Sequence, residues 1–383
     1  RYSPFVMLAA GARASTTLPP GRFAKHTSAA GETIASYEHD ASAFLPHCTA
    51  IPARITLSAK DLMDSPMTVT DEDFAKVLTG LKGQDWLDAL DELAEDLGYF
   101  EPIGPRHSAA FIDQSPTLIV SFDSHENICA RDPDCAPAGW VAAQNNGWSH
   151  LALISDGNTW FRDPYVYGYF DRLVDDGFFE DFDRVVFYGA GMAGYAAAAF
   201  SVVSPGATLV ALQPQATLAA DKAGWDTRFP KMRRTDFSSR YGYAPDMIDG
   251  AGDVFILHDP TDAFDAMHAA LFDAPYVHHH RTRLLARDLE AELRVMGVLE
   301  PILESAANGT LSLTILAEQL RVRRNFARYI RRVMGRLQDE DRPFREALVC
   351  RNFIQRGAGP RFQARLRELE AEGVRLPSLE PAE

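Results

Sequence analysis

Five short apolar runs decide the fold class. PTLIVSF (116–122), SHLALIS (149–155), RVVFYG (184–189), ATLVALQ (207–213) and DVFILHD (253–259) are continuous and rich in Val, Ile, Leu and Phe. Runs of this length suit strands covered on both faces, which means a parallel sheet. Parallel neighbours need crossover connections, and helices usually supply them. The intervening segments 165–180, 194–203 and 262–271 carry helical patterns. The alternation predicts an α/β protein with an open, doubly wound, mostly parallel sheet. Ligands in such sheets sit at the carboxyl ends of the strands.

Other segments frame that sheet. Residues 71–97 read as one amphipathic helix, with Phe74, Val77, Leu78, Leu81, Trp86, Leu87, Leu90, Leu93 and Leu97 at helical spacing. After about residue 283 the chain reads as wholly helical. LEPILESAANG, LTILAEQLRVRRNFARYIRRVMGRL and GPRFQARLRELEAEG are three helices on this reading, the second with seven arginines. Residues 1–66 form an expected poorly structured extension, because positions 1–31 hold no acid and many Ala, Ser and Thr. Sequence upstream of a start at Met67 or a targeting segment would each give that composition. The predicted division is therefore 1–66, an α/β domain over 67–300, and an Arg-rich helical region over 301–383.

Charge narrows the partners. The chain of 383 residues carries −15 overall. The first 280 residues hold −19 and the remainder +4. An acidic body argues against general binding to nucleic acid or a membrane surface, since both are anionic. The basic helices suggest a protein partner or pairing with the body itself. The four cysteines, Cys48, Cys129, Cys135 and Cys350, include no Cys-x-x-Cys. Free thiols in a reducing cytoplasm are expected, with no metal site and no cofactor.

The third run leads into VVFYGAGMAGY (185–195), whose glycines Gly189, Gly191 and Gly194 follow a strand and open a helix. A dinucleotide loop has this spacing, but it also needs an acid at the end of the next strand to hold the ribose. That strand ends Leu212-Gln213-Pro214-Gln215, with no acid. The alternative is a nucleophile elbow, Gly-x-Ser-x-Gly, in which a strained strand-to-helix turn lifts the nucleophile above the sheet. The frame Gly189-Ala190-Gly191-Met192-Ala193 has the small flanks, with glycine where the serine belongs.

FYGAGMAGYAAAAFSVVSPGATLVALQPQATL resembles the α/β-hydrolase superfamily around its elbow. More narrowly, GYFEPIGPRHSA, YGYFDRLVDDGFFEDFDRVVFYGAGM and SRYGYAPDM are similar to a bacterial group of α/β-hydrolase-like proteins often labelled phosphoadenosine phosphosulfate reductase. That chemistry calls for a Ser-Gly-Gly-Lys-Asp-Ser-type phosphate loop and a Cys-Gly-type motif, and neither occurs. The resemblance implies an acid after the strand two beyond the elbow strand, here Asp259 or Asp262. It implies a histidine after the last strand, where His278, His279 and His280 stand and His280 is the candidate. Asp262 also reads as a helix N-cap. If 276–280 is a strand, His278 and His280 share a face. The oxyanion hole would use the Met192 N–H and the loop at Asp123 and Ser124.

Ligand contacts are thus expected from Gly189, Gly191, Met192, Tyr195, Asp123 and Ser124. The helix beginning near Met192 points N–H donors at the pocket, which suits a small anionic or acyl ligand. The expected function is that of a serine-less α/β-hydrolase-like binding or scaffold protein. Two alternatives stay open. One is a hydrolase or acyltransferase using a displaced nucleophile such as Ser121, Ser124 or Tyr195. The other is a nucleotide-dependent enzyme.

Overall fold

The structure, a computed structural model, describes residues 23–27, 33–37, 78–95, 97–131, 134–285, 287–357 and 359–377. The chain divides into two compact units, Arg1–Met67 and Thr68–Glu383. In the first, strands β1 (Phe23–Thr27) and β2 (Thr33–Tyr37) pair antiparallel. The rest of the expected 1–66 extension lies outside the described residues.

The second unit is built on one eight-stranded sheet: β3 (Gly98–Ile103), β4 (His107–Ile112), β5 (Thr117–Ser124), β6 (Ser149–Ser155), β7 (Arg184–Ala190), β8 (Thr208–Leu212), β9 (Asp253–His258) and β10 (Val277–Arg281). Its order is β10-β9-β8-β7-β5-β6-β4-β3. β4 runs antiparallel to both its neighbours, and every other pair is parallel. This is an α/β-hydrolase-like sheet, doubly wound and mostly parallel. All five apolar runs became strands. β3 and β4 went unread as strands because Glu101, Pro102, His107 and Ser108 interrupt any apolar run. Gly104, at φ 65°, makes the turn between them, and a Cβ there would fall 2.5 Å from the Tyr165 ring.

Helices cover both faces. Among the described residues those of seven or more residues are, in chain order, α1 (Gln84–Glu95), α2 (His125–Arg131), α3 (Trp140–Asn146), α4 (Pro164–Asp175), α5 (Met192–Phe200), α6 (Ala263–Ala269), α7 (Leu289–Val295), α8 (Leu299–Ala307), α9 (Leu313–Gln319), α10 (Ala327–Asp339), α11 (Pro343–Gln355) and α12 (Pro360–Ala371). Strand alternation sorts the side chains. Leu118, Val120, Phe187, Leu209 and Ile256 pack toward α4 and α5. Ile119, Val186, Tyr188, Val210 and Leu257 pack toward α7 and α8.

Two predicted helices are broken. The expected helix over 71–97 is interrupted, in its described part, between Leu78 and α1, because Gly80 and Gly83 have φ of 80° and 57°. Left-handed backbone ends a right-handed helix. The Arg-rich helix splits into α9 and α10 around a 3₁₀ segment, Leu320–Asn325. Phe326 takes extended backbone (φ −88°, ψ 112°) and packs, half-buried, against the core under α7 and α8. Tertiary packing overrides helix propensity there.

Candidate active site and what occupies it

The turn after β7 has the elbow conformation. Gly191 sits at φ 59°, ψ −117°, a region that disfavours L side chains. Its N–H donates to the Leu212 carbonyl at 2.7 Å, and its carbonyl accepts the Tyr195 N–H at 3.0 Å. Strand ladder and helix therefore meet at this residue. The glycines around it have different reasons. A Cβ on Gly189 would lie 2.3 Å from the Ala193 carbonyl oxygen. One on Gly194 would lie 3.1 Å from the Gly189 oxygen and 3.2 Å from the Leu212 oxygen. Both keep α5 close to the sheet. A Cβ on Gly191 would meet nothing within 4 Å. Space for a nucleophile's side chain exists, and the side chain does not.

The donor side of the site is half built. Gly191 supplies no side-chain cap, so the first-turn N–H groups, Met192 included, have no acceptor within the helix. Across from it, the Ser124 N–H is taken by the Asp123 carboxylate at 2.8 Å. It is therefore unavailable to an oxyanion. The Ser124 side chain is buried, with its Oγ accepting the Asn127 N–H at 3.4 Å. Nothing presents it as a nucleophile.

Asp259 stands where the resemblance places the acid, just beyond β9, but its carboxylate is committed to backbone. Oδ1 accepts from the Thr261 N–H (2.8 Å) and hydroxyl (2.7 Å), and Oδ2 accepts the Leu284 N–H at 2.9 Å. Leu284 belongs to the loop after β10, the loop that would carry the histidine. The acid thus grips that loop's backbone where it would grip an imidazole. Asp262 is the N-cap of α6, accepting from Phe264 and Asp265 N–H.

No histidine approaches the elbow from β10. His278, on the sheet face of Phe255, stacks on that ring and binds Asp253. His279, on the opposite face, binds the Phe272 carbonyl. His280 faces the helical layer beside Leu257. Its Nε2 is buried without a partner, and burial together with the Arg323 charge lowers its pKa. It lies three strand spacings from β7, about 14 Å. The structure separates His280 from Gly191, and no histidine is hydrogen-bonded to the Asp259 carboxylate.

The remaining nucleophiles are sealed or occupied. Tyr195 is buried and donates its hydroxyl to the Tyr241 carbonyl at 2.5 Å, so it holds the segment between β8 and β9 and faces no pocket. Among the described residues, one serine–histidine hydrogen bond joins Ser121 Oγ to His150 Nε2 at 2.9 Å. Both are about 2% exposed or less, and Trp140 covers the ring at 5.5 Å between centroids. Burial lowers the His150 pKa to about 4, so the imidazole is neutral. Substrate has no route to it.

What sequence reasoning missed is a buried charge cluster beside the elbow strand. Arg131 of α2 reaches Asp123 (3.6 Å), Asp288 (3.2 Å) and Glu290 (2.7 Å). The Tyr188 hydroxyl, on β7, is buried in the field of these groups without a hydrogen-bond partner. Burial, reinforced by Glu290, pushes Asp123 up to about 7 against the pull of Arg131. The loop after β10 does cross the sheet edge, as a catalytic histidine loop would. It delivers Asp288, the N-cap of α7, and with it Glu290 in the first turn of that helix. No local signal announces this, since the partners are more than 150 positions apart in the chain.

A second network closes the nucleotide side. Gln213 donates to Asp265 (2.8 Å) and accepts the Leu289 N–H (3.0 Å). Asp265 and Asp226 both bind Arg228, and Asp226 binds His268. His268 Nδ1 accepts the Ala216 N–H, which leaves its Nε2–H to donate to Asp226. Gln213, where a ribose-binding acid would stand, is thereby satisfied internally. Among the described residues, no three His, Cys, Asp or Glu side chains are grouped to hold a metal ion, and no helix is long and apolar enough to cross a membrane.

No protein-family model and no curated protein matches the sequence. Among solved structures, the chain is similar to carboxyl esterase 2 of Tuber melanosporum: 12% identity, TM-score 0.38, 55% of this chain and 84% of that one. It is also similar to the capsule O-acetyltransferase of Neisseria meningitidis serogroup A (13%, 0.37, 61% and 99%). A third is a hyperthermophilic esterase of Pyrobaculum calidifontis (13%, 0.36, 63% and 93%). The fold assignment rests on this chain's own strand order and elbow geometry.

Proposed function

We propose that this α/β-hydrolase-like protein has kept the elbow and given up the covalent reaction. It would serve by binding a small anionic or acyl ligand at the α5 N-terminus, or as an accessory protein. The observation that carries the reading is Gly191: nucleophile backbone geometry, room for a side chain, and no attacking atom. Covalent catalysis needs that atom. The engagement of Asp259 by Thr261 and Leu284, with no histidine hydrogen-bonded to it, supports the same conclusion. Free first-turn N–H groups and the helix dipole still favour an anion or a carbonyl oxygen.

Fluorophosphonate labelling of the full chain tests the proposal. The expected result is no stoichiometric serine adduct under conditions that label a serine hydrolase fully. A stoichiometric adduct would overturn it. Thermal-shift profiling separates ligand classes, because a ligand bound only by the folded state raises the melting temperature. Carboxylates and acyl esters are expected to shift it. NAD, NADP and adenylyl-sulfate compounds are expected to leave it unchanged.

A further inference from the structure

The helical region carries a groove of about 430 Å³ between α10 and α11. Its floor is apolar: Ile330, Val333, Leu348, Val349 and Phe353. Three arginines stand on its rim, Arg324, Arg351 and Arg356. Elsewhere in this region some arginines are neutralised, Arg332 by Glu292, Arg336 by Glu340 and Arg365 by Glu346, while others, Arg331 and Arg367 among them, stand on exposed helix faces away from any apolar groove. The three rim arginines reach no carboxylate among the described residues.

Two of them are nevertheless held in place. Arg351 donates to the Pro377 carbonyl at 2.6 Å. Arg356 donates to the Asn325 side-chain oxygen at 2.9 Å. Neutral acceptors orient a guanidinium without cancelling its charge. Each guanidinium has five N–H donors in a fork that matches a carboxylate. An apolar floor under oriented, uncompensated cations, in a chain that is acidic overall, is matched by a partner with apolar and acidic groups together. The charges are also spread out. Arg351 and Arg356 are five residues apart on and just past α11, about 7.5 Å along a helix axis. Carboxylates on successive turns of a helix, spaced by the same rise, would meet both.

We propose that this groove docks an acidic amphipathic helix of a protein partner, with apolar side chains on the α10–α11 floor and carboxylates on Arg324, Arg351 and Arg356. The proposal concerns the helical region and is independent of the elbow reading.

Fluorescence anisotropy on the full chain tests it. The probe is a labelled synthetic amphipathic helix about five turns long, with leucines on one face and glutamates flanking them. Its control carries lysines in place of the glutamates. The glutamate peptide is expected to bind at least about tenfold more tightly than the control, and less tightly as salt rises. Arg351→Glu/Arg356→Glu is expected to abolish that preference with the melting temperature unchanged. Should the double variant fold poorly, Arg324→Glu replaces it, because the Arg324 side chain makes no hydrogen bond within the described structure. Equal binding of both peptides, or glutamate-peptide binding that survives charge reversal, overturns the proposal. Binding of dodecanoate but not of the peptide overturns it in favour of a fatty acid. A dimer in light scattering that the double variant dissolves overturns it in favour of a second copy of the chain.

Discussion

Restoring a serine at the elbow separates geometry from chemistry. Gly191→Ser places a Cβ where no atom lies within 4 Å, so the cost is conformational alone. At φ 59°, ψ −117°, an L side chain costs about 1–3 kcal/mol. Loss of glycine's unfolded-state freedom returns about 0.4–1 kcal/mol. The net destabilisation is then between about 0 and about 2.6 kcal/mol, a fall of at most a few degrees in melting temperature for a unit this large. Gly189→Ala is chemically smaller and should cost more. Its Cβ would sit 2.3 Å from the Ala193 carbonyl oxygen, a backbone atom, so α5 must move as a body. Overpacking costs about 1–3 kcal/mol and occasionally more, and a clash with fixed backbone belongs at the upper end. Thermal melts of the two variants beside the parent are the assay. If Gly191→Ser is destabilised as much as Gly189→Ala, the open-turn reasoning fails. The chemistry gives a second check. With Asp259 held by Thr261 and Leu284 and no histidine hydrogen-bonded to it, the new hydroxyl has no acid–histidine pair to activate it. Turnover of p-nitrophenyl acetate should stay far below the range of working enzymes, a kcat/KM of about 10⁴ M⁻¹s⁻¹ or more. Turnover within that range would refute the claim that the pair is absent.

Other consequences follow from the same contacts. Asp123 is raised to about 7 from an ordinary 3.8, so the folded state keeps a proton that the unfolded chain releases above pH 4. Its contribution to stability is full below about pH 4 and lost as pH rises toward 7. Asp123→Asn should therefore melt higher relative to the parent at pH 8 than at pH 4, and a pH-independent difference would count against the cluster. Asp259→Ala removes three hydrogen bonds and should cost about 2–3 kcal/mol, read by thermal melting. An unchanged melting temperature would mean that the loop after β10 is held by something else. Tyr195→Phe leaves the Tyr241 carbonyl without its buried donor and should cost about 1–2 kcal/mol by urea denaturation.

Much of the scaffold was legible because strand burial leaves a one-dimensional trace. Runs such as VVFYG and LVAL are apolar at every position since helices cover both faces of β7 and β8. The elbow was legible because contact between β7 and α5 forbids a Cβ at Gly189, and a missing Cβ is written in the sequence. Less legible were β3 and β4, toward the sheet edge, where polar residues interrupt the pattern. The break at Phe326 was hidden because a local helical period says nothing about which core will claim an aromatic ring.

The sequence by itself determined the layered α/β architecture and the absence of a serine at Gly191, since both are properties of consecutive residues. Only the tertiary structure decided what became of the other catalytic positions. Asp259 became a clamp on Leu284, His280 turned to the helical layer, and Arg131 joined nearby Asp123 to Asp288 and Glu290 of a distant segment. A carboxylate carries no local mark of its partner. Its role is fixed by whichever donor the fold brings within about 3 Å, and that donor is chosen by packing of the whole sheet.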